Sequence, residues 1–120
     1  MKGLIKISLN AIHVSTMIYG KTKDQAIEHM NSLVESSGEQ IIKGSNDSIV
    51  TDKARYKAEI LGEHCRGYRY MKMYIAKDLL FVKDYSDLFE MSLVKLVSPS
   101  YYNTEMQDDD YNWLEHVFIY

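Results

Sequence analysis

The chain has 120 residues, the size of a single domain spanning 1–120. Hydrophobic residues make up 46% and charged residues 26%, with 6 glycines and 1 proline, which excludes low-complexity, collagen-like and linker chains. A net charge of −3 argues against a protein whose affinity comes mainly from phosphate contacts.

Tyrosine, with 10 residues, and methionine, with 7, are the unusual items. The N-terminus lacks the continuous apolar stretch of a signal peptide, and nowhere do about 18 apolar residues run together. Cys65 is the only cysteine, so no intrachain disulfide is possible. These features lead to the expectation of a reducing, cytoplasmic setting without membrane contact.

Ile5, Ile7 and Leu9 alternate with polar residues, and Ile12, Val14 and Ile18 continue the pattern one residue out of step. One bent strand or hairpin over 3–19 is expected. Thr22-Lys23-Asp24-Gln25 fits a capping box. Ala26, Ile27, Met30, Leu33 and Val34 form one helical stripe, and Gly38 supplies a stop, predicting a helix over 22–36.

Residues 44–48 read as a loop. Residues 54–61 fit a strand, with Tyr56, Ala58 and Ile60 alternating with Arg55, Lys57 and Glu59, although Ala54, Ala58 and Leu61 also fit a helix. After a turn at 62–67 comes an aromatic strand over 68–75, with Tyr68, Tyr70, Lys72 and Tyr74 on its even face. Residues 79–82 suggest a short strand. Tyr85, Leu88, Phe89, Leu93, Leu96 and Val97 predict a second helix, ended by Ser98-Pro99. An acidic loop over 100–112 and a last strand over 113–120 complete the chain.

The order β–α–β–β–α–β is the ferredoxin-like, split βαβ pattern of an α+β protein. It predicts an antiparallel sheet with two helices on one face, one open face, and room for an extra N-terminal strand.

Three constellations are candidates for function. Arg66-Gly67-Tyr68-Arg69-Tyr70-Met71-Lys72-Met73 resembles the third-strand motif of RNA-recognition (RRM) domains, matching it at Arg66, Gly67, Tyr68 and Tyr70. The resemblance implies single-stranded RNA or nucleotide binding by Arg66, Tyr68, Tyr70, Lys72 and Tyr74, with bases stacked on the rings. Arg69, Met71 and Met73 depart from the family pattern, and Leu4–Leu9 lacks the companion aromatic.

Glu63-His64-Cys65-Arg66 places a base and a cation near a thiol, the elements of a small cysteine enzyme, but a structural turn explains it more simply.

Residues 99–120 carry Glu105, Asp108, Asp109, Asp110 and Glu115 without a single Lys or Arg, a net of −5, whereas residues 1–98 carry +2. Tyr101, Tyr102, Glu105, Asp108, Asp109, Asp110, Tyr111 and Trp113 therefore form a candidate protein-binding strip.

His13, His29, His64 and His116 lack ligand spacing, and no cofactor or metal motif is present. The composition resembles that of small accessory proteins of large tailed phages, which inhibit host enzymes or defence systems. The resulting expectation is a non-catalytic binding protein acting stoichiometrically on a macromolecular partner, most simply a protein. An open sheet face also favours a homodimer or higher homo-oligomer.

Overall fold

The computed structural model describes residues 14–61, 69–81, 89, 90, 92, 93, 95–97 and 113–120. They form a mixed α+β structure with a six-stranded sheet and one long helix. The strands are β1 (Val14–Gly20), β2 (Ile41–Ser45), β3 (Ser48–Thr51), β4 (Ala54–Ile60), β5 (Lys72–Ile75) and β6 (Val117–Ile119), and the helix is α1 (Lys23–Ser37). Their order in the sheet is β2-β3-β4-β1-β5-β6.

The expected antiparallel sheet is corrected by the strand directions. β1 runs parallel to β4 on one side and to β5 on the other, and β5 runs parallel to β6. Among the described residues, only the β2–β3 and β3–β4 pairs are antiparallel. A parallel neighbour needs a crossover, and α1 begins the one that carries the chain from β1 to the far edge.

α1 follows its sequence signals closely. Thr22 is the N-cap, its Oγ1 accepting from the Gln25 amide at 3.1 Å. The Gln25 side chain reaches back, but to the Lys21 amide at 2.7 Å, one residue before the cap. Gly38 closes the helix in the left-handed region at φ 71. Gly20 marks the passage from β1 into the helix, where a Cβ would lie 2.6 Å from the Thr22 carbonyl oxygen.

Two cores flank the sheet. Ile18, Ala58 and Tyr56 meet Ala26, Met30 and Val34 of α1 on one face. On the other face Met17, Tyr19, Met73 and Ile75 pack with Tyr70, Leu79 and Leu96. Helical Phe89 and Leu93 pack against this second core, so they lie on the face opposite α1 and not beside it as expected. Glu90 and Ser92 are helical as well, residues 95–97 form a turn and a bridge from Leu96 to Tyr70, and residues 85–88, 91 and 94 of the predicted helix lie outside the described residues.

Four further expectations change. The 44–48 loop is a tight β2–β3 hairpin in which only Asn46 and Asp47 turn. β5 starts at Lys72, because a bend at Met71 interrupts the 68–75 strand. Residues 77–81 form a 3-10 turn, Lys77–Phe81, and not a strand. Trp113–His116 is likewise a 3-10 turn, which shortens the last strand to β6. Residues 3–13 lie outside the described residues. No helix among the described residues is long and apolar enough to cross a membrane.

Candidate functional site

The face opposite α1 divides at β1. Towards β5 it is covered by the second core. Towards β2 it forms a cavity of about 400 Å³ into which the odd-numbered positions of β1 and β4 face. Lys43 of β2, Arg55 and Lys57 of β4, and Arg69 before β5 are its charged lining, with Ser15, Ser48 and Val50 between them. No carboxylate lines this cavity among the described residues.

Strand register explains the gathering. Lys43 pairs with Val50, Val50 with Arg55, and Ser48 with Lys57, so all five residues share one face. Ser15 pairs with Arg55 across β1–β4 and extends the row.

A compact charge network adjoins it. Lys23, in the first turn of α1, bridges Asp47 at 3.0 Å and Glu59 at 3.1 Å. Lys57 meets the same two carboxylates at 3.3 Å and 3.8 Å. The hydrogen bond from Lys23 holds the Asp47 carboxyl below its usual range. Burial pushes Glu59 up, but the Lys23 hydrogen bond and charge outweigh it, leaving Glu59 below its usual range as well.

The aromatic residues expected to share a face do not. Tyr70 is 2% exposed and lies in the core opposite Tyr74. Its hydroxyl donates to the Ser92 carbonyl at 2.7 Å and stands 2.9 Å from the Tyr19 hydroxyl. The bend at Met71 breaks the alternation that would have placed Tyr70 with Lys72. Lys72 and Tyr74 do remain together on the helix face, where Tyr74 stacks on Phe118 with ring centroids 4.9 Å apart. Tyr68 and Arg66 lie outside the described residues, as do His64 and Cys65. So do Tyr101, Tyr102, Glu105, Asp108, Asp109, Asp110 and Tyr111, while Trp113 opens the 3-10 turn before β6.

Sequence reasoning missed the basic face, although half its signal was visible. Arg55 and Lys57 were recognised as one strand face. Lys43 was not, because β2 is exposed throughout and shows no alternation, and Ser48 was not, because it sits at the start of the four-residue β3 in what reads as a loop. No group of three or more His, Cys, Asp or Glu is placed to hold a metal among the described residues. No protein-family model, curated protein or solved structure matches the chain.

Proposed function

We propose that this is a non-catalytic binding protein that acts stoichiometrically on a macromolecular partner through its basic sheet face. The observation that carries the reading is the convergence of Lys43, Arg55, Lys57 and Arg69 on one cavity. Phosphates are the groups such a row of cations suits, with Ser15 and Ser48 as additional donors. The row runs across the strands from β2 to the approach to β5. Four strand steps of about 4.8 Å make it about 19 Å long, the reach of an extended chain and not of one phosphate. Single-stranded nucleic acid is the partner this favours.

Fluorescence anisotropy with labelled single-stranded RNA and DNA at low salt tests the reading. Binding is expected to weaken steeply with salt. The Lys43→Gln, Arg55→Gln double variant is expected to lower the log–log salt slope by about 1.4, from about 0.7 per neutralised phosphate. Absence of binding at low salt, or a slope that the double variant leaves unchanged, would reject it.

The acidic strip over 101–113 supports a second surface for a protein partner, such as a host enzyme that the chain inhibits. Changing Asp108, Asp109 and Asp110 together to Asn and comparing partners recovered from lysate tests that surface separately.

A further inference from the structure

The helix face holds a second cleft, of about 340 Å³, under the last turns of α1. Register places Tyr56, Thr16 and Lys72 side by side across β4, β1 and β5, and the three line this cleft. Glu39, Lys53 and Tyr74 line it as well.

Its polar groups are incompletely satisfied. Thr16 is 3% exposed, yet its hydroxyl has no hydrogen-bond partner among the described residues. This hydroxyl opens on the cleft and is free to donate to or accept from a ligand there. Lys72 and Lys53 make no ion pair among the described residues, and Lys72 Nζ instead lies 5.8 Å from the Phe118 ring centroid. Glu39 Oε1 accepts from both Thr51, at 2.6 Å, and Tyr56, at 3.1 Å, whereas Oε2 accepts no hydrogen bond among the described residues. The last turn of α1 carries no basic residue, and the Ser37 hydroxyl, donating to the Val34 carbonyl at 2.7 Å, is a neutral group, so the partial negative charge there meets no cation from its own helix.

The cleft thus offers donors and cations at Thr16, Lys72 and Lys53, and an acceptor with negative charge at Glu39 and the helix end. A ligand that satisfies both needs an anionic and a cationic group. Val14, Leu33 and Ala54 add apolar lining suited to a short aliphatic body.

We infer that this cleft binds a small aliphatic amino acid, its carboxylate on Thr16 and Lys72 and its ammonium on Glu39. The site is separate from the basic face, which lies on the other side of the sheet.

Amide NMR spectra of the whole chain, titrated with L-leucine, test it. Isopentylamine and 4-methylpentanoate serve as matched probes that each lack one charge. Saturable shifts at Thr16, Ser36, Ser37, Lys53 and Lys72 are expected with leucine, and affinities about tenfold or more weaker with either analogue, the usual effect of one lost charged contact. Thr16→Val and Lys72→Met, each shown to be folded by circular dichroism, are expected to weaken leucine binding about tenfold. The proposal is overturned by an absence of saturable shifts at millimolar leucine. It is equally overturned by an analogue that binds as tightly as leucine, or by undiminished binding to Thr16→Val.

Discussion

The Tyr70 hydroxyl has one proton, and the Ser92 carbonyl 2.7 Å away takes it. Tyr19 must then be the donor in the 2.9 Å contact between the two tyrosines. One buried phenol therefore ties β1 to the segment around residue 92, supported by an edge-on ring contact of 6.0 Å. Tyr70→Phe keeps the ring and removes both bonds. A loss of about 1–3 kcal/mol is expected in urea unfolding, because two buried hydrogen bonds are lost at once. Thr16 is expected to behave differently. Its hydroxyl makes no hydrogen bond among the described residues, so Thr16→Val is expected to change stability by less than about 0.5 kcal/mol in the same experiment.

At the scale of elements, β6 is held by its parallel pairing with β5 and by the residue that follows it. Tyr120 stacks on His29 of α1 with centroids 3.8 Å apart and an interplanar angle of 2°. Its hydroxyl donates to the Tyr19 carbonyl at 2.9 Å. Burial lowers the pKa of His29, whose Nε2 is buried without a hydrogen-bond partner among the described residues. Asp24 and Glu28 line the neighbouring groove and would favour a proton, yet burial prevails. A lowered folded-state pKa means that the unfolded chain takes the proton first. The stabilisation is therefore complete above about pH 6.5 and is lost as pH falls through the lower folded value. His29→Phe keeps a stacking ring without the titration. Its melting temperature is expected to fall less than the wild type's between about pH 7 and pH 5. Equal slopes would show that the imidazole is not the sensor.

Elements whose signals are local were legible in the sequence. The cap at Thr22, the apolar stripe and the stop at Gly38 define α1 to within one residue at each end. β4 was legible because one of its faces is buried and the other charged. β2 was not, since all five of its residues are exposed and no alternation marks an edge strand without a covered face. The 68–75 stretch misled for a different reason. Alternation in the sequence persists through Met71, while the backbone bends there to bring Tyr70 beneath Leu96. That bend answers to a partner 26 residues away in sequence, which no local window contains. The two candidate sites fared likewise. Lys72 and Tyr74 were found from one strand, whereas the basic face needed the pairing of β2 with β3 and β3 with β4.

Across the whole molecule, one charge network ties the β2–β3 hairpin turn to α1 and β4, which already share a hydrophobic core. Lys23 belongs to α1, Asp47 to the hairpin turn, and Lys57 and Glu59 to β4. β3 pairs with β4 only as far as Lys57, apart from the bond from the Ala58 amide to the Asp47 carbonyl. Beyond that point the edge of β4 is left for Lys23 to reach. Glu59 is the most buried member, with 11% of its side chain exposed, so it depends most on its partners. Both carboxyls have lowered folded-state pKa values. Their contribution is therefore present above the unfolded carboxylate range near pH 4 and is lost as pH falls through the folded values. Glu59→Gln removes one of the two carboxylates that Lys23 and Lys57 share. It is expected to destabilise the neutral-pH protein and to flatten the acid limb of a stability–pH curve below about pH 4. Asp47→Asn, at a more exposed position, is expected to do the same more weakly. Because Lys57 also lines the basic cavity, losing a carboxylate partner leaves its charge less neutralised. Glu59→Gln is accordingly expected to tighten polyanion binding on that face while it lowers stability. Anisotropy and urea unfolding on the same preparation would show the two effects moving in opposite directions, and a variant that weakened both would sever the network from the binding face.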